Sequence, residues 1–335
     1  MMNSFQHFGV IGAGAWGTAL AQTLRCAGRD VTLWAREAEV VEAIRSTHLN
    51  RVYLPQIPLD EELKATNDLA ALSSCDVLLL VVPVQHMRSV CQQLTKVGLG
   101  AQTPILVCSK GIEIGTLKFP SQIIEETLSG HPVAVLSGPS FAIEVASDLP
   151  TAVTLACRDE DLATFLCHAI SSRNFRPYSA TDVIGAQIGG AIKNVLAVAT
   201  GIATGCQMGE NARAALITRG LAEMMRVGSA LGGRAETMMG LSGLGDLVLT
   251  CSSTQSRNMS LGYALGQGRK LADILAERKS VAEGVPTSAA AAALAKRLGI
   301  DMPIVQATDA ILNKGADVQT VIAGLLARPI RAEVG

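Results

Sequence analysis

Residues 12–17, Gly12-Ala13-Gly14-Ala15-Trp16-Gly17, place three glycines in the spacing G-x-G-x-x-G. On its own this pattern is no more than a tight turn. Here it follows an apolar run at 8–11 and opens a helix-like stretch, the setting in which the spacing binds the pyrophosphate of a dinucleotide. Gly12 permits the turn, Gly14 lets the backbone approach the phosphates, and Gly17 allows helix and strand to pack closely. Thr18 to Ala27 reads as the helix that follows, ended by Gly28, and its N-terminus offers free N–H groups and a positive dipole end to the phosphates. A second apolar run, 31–34, ends in Trp34-Ala35-Arg36. An acidic residue there would hold the ribose hydroxyl of NAD. Arg36 instead suits the 2′-phosphate of NADP, and Glu37 beside it points the other way. The expectation is a site that accepts NADP, with preference over NAD left open.

The second half carries an amine in an unusual setting. Gly185, Gly189, Lys193, Ala197 and Gly201 recur every four positions and so share one helical stripe. A lysine on such a small-residue face either snorkels to solvent or points into a cleft. In a cleft it suits ketone reduction, where a cationic proton donor must meet negative charge growing on the carbonyl oxygen. Further on, Gly243-Leu244-Gly245 bends the chain ahead of Asp246, and Thr250-Cys251 follows. Ser256-Arg257-Asn258 then precedes a helical stretch at 259–266. A hydroxyl, a guanidinium and an amide at a helix start suit a phosphate. The same triplet also reads as an N-cap by Ser256 or Asn258 beside a solvated arginine.

Three segments are less telling. Ser109-Lys110-Gly111 and Ser137-Gly138-Pro139-Ser140 each follow an apolar run, at the edge where parallel sheets bind ligands. Val281-Ala282-Glu283-Gly284 joins two helical stretches. Each is also ordinary turn chemistry. His86 reads as a surface histidine rather than a proton carrier.

The elements that must position these residues divide the chain in two. Apolar runs at 8–11, 31–34, 76–82, 104–108, 133–136 and 151–156 alternate with helix-length connections. That pattern predicts an α/β fold with parallel pairing and right-handed crossovers. Beyond 175–179 strand runs vanish, and Ala- and Gly-rich helical stretches follow at 183–203, 212–231, 259–266, 270–277, 286–298 and 303–313. The boundary falls near residue 180, giving domains 1–180 and 181–335. A chain of 335 residues has room for about two such domains. A net charge of −1 offers nothing to nucleic acid or an anionic membrane. The eight cysteines form neither CxxC pairs nor metal-ligand spacings with histidine, which predicts reduced thiols and no metal. The N-terminus lacks the basic region of a signal peptide. Residues 183–203 are apolar enough to span a membrane, but Lys193 and Asn194 at their centre would cost roughly 2.5–3.5 kcal/mol for the charge alone. A buried helix is expected.

Taken in order, these residues closely resemble the bacterial-type glycerol-3-phosphate dehydrogenase family. The likeness runs through GAGAWGTALA at 12–21, YLP at 53–55, VPVQHMR at 82–88, CSKGIE at 108–113 and SGPSFAIEV at 137–145. It continues through IKNVLAVATGI at 192–202, GLGDLVLTCSSTQSRN at 243–258 and VAEGV at 281–285. The resemblance implies a Rossmann domain with a mostly parallel sheet, followed by an all-α domain like that of 6-phosphogluconate dehydrogenases, with the active site between them. It implies hydride transfer between NADP(H) or NAD(H) and dihydroxyacetone phosphate, giving glycerol 3-phosphate for phospholipid synthesis in the cytoplasm. A homodimer is compatible with it. By resemblance Lys193 is the catalytic lysine. Lys110, Gly138, Ser140, Lys193, Asp246, Ser256, Arg257 and Asn258 look like substrate contacts. Ala15, Trp16, Arg36, Lys110, Ala142, Arg257, Val281 and Glu283 look like coenzyme contacts. Some members have serine where Ala15 stands, so a side-chain hydrogen bond there is lost.

Overall fold

The computed structural model describes residues 5–278, 281–330 and 332. The first half alternates strands and helices: β1 His7–Ile11, α1 Ala15–Cys26, β2 Asp30–Trp34, α2 Ala38–Thr47, β3 Leu49–Asn50, β4 Leu54–Pro58, β5 Lys64–Thr66, β6 Val77–Leu80, α3 Val84–Leu94 and β7 Ile105–Val107. It continues with α4 Pro120–Thr127, β8 Val133–Ser137, α5 Ala142–Ala146, β9 Thr151–Cys157, α6 Glu160–Ile170 and β10 Phe175–Ala180. Eight strands form one sheet in the order β10-β9-β8-β7-β6-β1-β2-β5. Strand residues alternate between two cores. Phe8, Val10, Leu79 and Leu106 pack on one face, and Ile11, Leu78, Leu80, Ile105 and Val107 on the other. Helices cover both faces, which is why β6 reads as an unbroken apolar run.

The pairing is parallel except between β8 and β9, which run antiparallel with Ala134 opposite Cys157. The sheet is mostly parallel, as the resemblance implied, and this one pair departs from the parallel pairing read from the alternating runs. The connection, residues 138–150, carries only the five-residue α5, about 7 Å of helix, and not the crossover helix, long enough to run back along a strand of ~17 Å, that usually joins parallel neighbours. The eleven-residue α6 is long enough, and β10 returns parallel to β9. The short strands β3, β4 and β5 carry no strong sequence pattern and were not expected.

The second half is helical: α7 Val183–Gly205, α8 Gly209–Ala230, α9 Ala235–Met239, α10 Asp246–Ser252, α11 Arg257–Gly266, α12 Leu271–Ala276, α13 Gly284–Leu298, α14 Pro303–Lys314 and α15 Val318–Leu326. The region of Gly243 is not the simple bend expected from its glycines. Residues Leu241–Gly245 form a π-helical turn that runs straight into α10. Helix α7 is apolar on all sides, and 83% of its most apolar window is buried inside the protein. It is the hub of the helical half, as expected of a helix with no polar face. Its glycine stripe lets backbones touch: a Cβ on Gly189 would stand 2.2 Å from the Ser242 carbonyl, and one on Gly201 2.2 Å from that of Met259. The two halves share core, since Ile112 and Phe119 pack among the α7, α8 and α13 side chains.

Candidate active site

The glycine motif sits where β1 ends and α1 begins. Gly12 has φ +115° and Gly17 packs so closely that a Cβ there would lie 1.8 Å from the Gly12 carbonyl. A Cβ on Gly14 would meet nothing within 4 Å, so this flank of the loop is open. Gly14 is the N-cap of α1 and supplies no side chain to it, leaving the first-turn amides free for an anion. The helix starts at Ala15, inside the motif, rather than at the expected 18. The indole Nε1 of half-buried Trp16 is shielded from water and has no protein partner. Arg36 lies next to this loop, because Gly12 N–H donates to the Trp34 carbonyl at 3.0 Å. Its guanidinium is exposed and grips Glu37 through Nε at 3.0 Å and Nη2 at 2.6 Å.

The expected chemistry converges on one carboxylate. Asp246 opens α10 at 1% exposure. Its Oδ1 lies 3.0 Å from Lys193 Nζ, and its Oδ2 takes a 2.6 Å bond from Lys110 Nζ. Lys110 also donates to the Gly138 carbonyl at 3.0 Å, and Lys193 to Thr250 Oγ1 at 2.9 Å. Thr250 Oγ1 lies 3.3 Å from Asp246 Oδ1. The lysine side chains keep only 15% and 11% of their exposure, for Lys110 and Lys193 respectively. Lys110 comes from the loop after β7, and its stem crosses Gly190, where a Cβ would stand 3.1 Å from the Lys110 Cγ. The cluster therefore spans both halves of the chain. Burial pushes the Lys193 amine down to about 8; Asp246 opposes this and Lys110 adds to it. Burial would raise the Asp246 carboxyl, but the two ammonium groups hold it below its usual value. With both lysines protonated, one carboxylate meets two cations and the site keeps one positive charge.

A second group lies around the start of α11. Ser256 is its N-cap and accepts from Met259 N–H at 3.2 Å. Asn258 is buried, donates to Asn194 Oδ1 at 2.9 Å and accepts from Gly284 N–H at 3.0 Å. Both side chains thus already have protein partners, so the capping alternative raised from the sequence holds for Ser256. Arg257 is exposed by area yet crowded enough that desolvation lowers its pKa, an effect Glu283 opposes. Glu283 is pushed up to about 7 by burial, with Arg257 and a backbone amide pulling it back, and its Oε2 has no protein partner. Ser140 donates to the Gly138 carbonyl at 3.0 Å. Ala142 is half-buried and Val281 exposed. His86 is exposed on α3.

Comparison with known proteins gives the family. The model for the NAD-dependent glycerol-3-phosphate dehydrogenase N-terminus covers residues 7–163, and that for its C-terminus residues 182–323. The chain belongs to this family. It is similar to glycerol-3-phosphate dehydrogenase (NAD(P)+) of Parvibaculum lavamentivorans, 51% identical over 99% of this chain and 100% of the relative. For the enzyme of Rhodospirillum rubrum the figures are 55%, 100% and 96%. The solved structure of glycerol-3-phosphate dehydrogenase from Coxiella burnetii superposes with a TM-score of 0.93, at 40% identity, over 97% of this chain and 99% of that one.

As a glycerol-3-phosphate dehydrogenase, the chain needs a nicotinamide coenzyme, and its residues fit one. The open glycine loop and the uncapped start of α1 leave amides that could hold such a ligand, and Trp16 Nε1 and Glu283 Oε2 are buried polar atoms with no protein partner. Among the described residues no acid, histidine and cysteine group suited to a metal occurs. Of the sequence-predicted residues, Lys110, Gly138, Lys193 and Asp246 meet directly, while Arg257 and Glu283 interact electrostatically across the start of α13. Arg36 lies apart from the lysine cluster, at the glycine loop. Sequence reasoning named Asn194 only as a polar residue against a membrane span, and Thr250 without a role. Thr250 follows Asp246 at i+4, and that spacing was the available signal; Asn194, next to Lys193, faces Asn258 and had none.

Proposed function

We propose that this chain reduces dihydroxyacetone phosphate to sn-glycerol 3-phosphate with NADH or NADPH, and runs the reverse, with Lys193 as proton donor and acceptor. The observation that carries the reading is the shared carboxylate: Lys193 and Lys110 occupy the two oxygens of buried Asp246. A bound reduced nicotinamide supplies the hydride. Lys193, held by Asp246 and Thr250, hands a proton to the carbonyl oxygen as negative charge develops on it. A pKa near 8 keeps the amine charged at neutral pH yet able to release its proton. Lys110 compensates the buried charge of Asp246 and keeps the site positive toward an anionic substrate. Arg257, with the first amides of α11, holds the substrate phosphate, and Ser140, Ser256 and Asn258 shape its surroundings. Gly12, Gly14, Ala15, Trp16 and Gly17 cradle the pyrophosphate, Arg36 the adenosine end, and Ala142, Val281 and Glu283 the remainder. Domains 1–180 and 181–335 meet at the segment between β10 and α7, with the site between them.

The eight free cysteines suit a reducing cytoplasm, and the product suits synthesis of glycerophospholipids. Net charge and the enclosure of α7 by protein favour small-molecule partners over nucleic acid or membrane. A homodimer is the assembly proposed, and sedimentation of the purified protein tests it. The reaction itself is tested by oxidation of the reduced coenzyme with dihydroxyacetone phosphate against unphosphorylated dihydroxyacetone. Comparable turnover of both would overturn the phosphate reading.

A further inference from the structure

The glycine loop is held from behind by a residue outside it. Asn50 is fully buried, at 0% exposure. It lies where the β3–β4 pairing shifts register, between Leu49 and Asn50, an irregularity of the kind that re-aims a side chain. Its Nδ2 donates to the Ala13 carbonyl at 2.8 Å and to Thr18 Oγ1 at 2.8 Å, while its Oδ1 accepts from Tyr53 N–H at 3.1 Å. Thr18 Oγ1 is itself 3.4 Å from the Ala13 carbonyl. One amide group thus ties together the motif, the first turn of α1 and the turn that closes β3 onto β4.

We infer that Asn50 is a positioning residue for the coenzyme, fixing the Ala13–Gly14 peptide plane so that the Gly14 N–H faces the pyrophosphate. The bond is trans, as are all the described peptide bonds. In a trans peptide the C=O and the following N–H point in opposite directions. With the Ala13 oxygen drawn inward to Asn50 and Thr18, the Gly14 amide must face outward, toward the open flank of the loop. A flip of this peptide would do double harm, withdrawing a donor and presenting a carbonyl oxygen to an anion. Asn50 therefore acts equally on NADH and NADPH, which share the pyrophosphate, and reaches the dihydroxyacetone phosphate site only indirectly. The inference rests on coenzyme binding at residues 12–17.

The test is direct coenzyme binding, by calorimetry, to the purified full chain and to Asn50→Ala, with Tm recorded for both. Losing a buried hydrogen bond to the loop should raise Kd about tenfold for NADH and NADPH alike. The KM for dihydroxyacetone phosphate at saturating coenzyme should move far less. Should that variant fail to fold, Thr18→Val decides. It removes one partner of the amide and should weaken both coenzymes by about threefold. Kd values within measurement error of the parent would overturn the inference, because a purely structural residue lowers Tm without changing affinity. So would a loss confined to NADPH, which would place the effect at the 2′-phosphate. Failure of the parent chain to bind either coenzyme would instead overturn the reading of the glycine loop.

Discussion

The ammonium of Lys193 lies 3.0 Å from Oδ1 of Asp246, on a carboxylate whose other oxygen is already taken by Lys110. Attraction to Asp246 alone would hold Lys193 charged well into the alkaline range. Here burial and the second ammonium act against that attraction, and the amine settles near 8. The geometry makes the proton transferable.

Removing the amine should therefore remove the chemistry and spare the scaffold. Lys193→Met is expected to lower kcat by about 10²–10⁴, the usual weight of a general acid, with coenzyme Kd nearly unchanged. Steady-state kinetics and calorimetry on the same preparation check this. Near-normal turnover would remove Lys193 from the mechanism.

The direction of the pH dependence follows from which form of Lys193 each reaction needs. Reduction of the ketone needs the protonated amine, so kcat/KM should fall as pH rises through about 8. Oxidation of glycerol 3-phosphate needs the neutral amine and should rise over the same range. Profiles in both directions, collected over the pH range around neutrality, test the assignment; parallel rather than opposed limbs would contradict it.

Arg257 is expected to act on substrate affinity. Arg257→Ala should raise KM for dihydroxyacetone phosphate by about tenfold or more, since charge-assisted bonds are worth roughly 1.5–3 kcal/mol. The effect on kcat should be smaller. An unchanged KM would count against a phosphate at the start of α11.

Coenzyme choice should be set by the Arg36–Glu37 pair. Arg36 spends Nε and Nη2 on Glu37, so a 2′-phosphate must compete for them. Arg36→Ala should reduce kcat/KM for NADPH more than for NADH. Glu37→Gln should shift the ratio toward NADPH. A parent enzyme with a strong NAD preference, unaltered by either change, would rule out Arg36 as the selector.

Glu223 on α8 offers a stability prediction away from the site. It is 1% exposed and accepts from Ile304 N–H at 2.7 Å and Val305 N–H at 3.1 Å, closing the start of α14. Burial nonetheless raises its pKa from 4.5 to about 7. Because the folded value lies above the unfolded one, its contribution is complete below about 4.5 and declines as pH rises through about 7. The full swing is worth roughly 3 kcal/mol at most. Denaturant unfolding of Glu223→Gln should show a flatter pH dependence than the parent over that window, and identical slopes would refute it.

Much of this protein was legible in one dimension, because the information was local. The glycine spacing at 12–17 after an apolar run specified a turn that only a strand-to-helix junction accommodates. The stripe of Gly185, Gly189, Lys193, Ala197 and Gly201 specified a helix with one cation on a small face. The unbroken apolar run at β6 specified a strand covered on both sides. What tertiary structure decided was which distant groups meet and which potential contacts are already used. Lys110 and Asp246 are 136 residues apart and share no periodicity, so their pairing exists only once β7 and α10 face each other across Gly190. Asn50 meets Ala13, 37 residues before it, from beside a register shift in the β3–β4 pairing. Likewise only the fold shows β9 running antiparallel to β8 and the π-helical turn before Asp246 lying against Gly189. Sequence supplied the chemical groups and their local frames. Burial and long-range geometry set their charges and partners, because desolvation and Coulomb energy depend on distances that chain order does not encode.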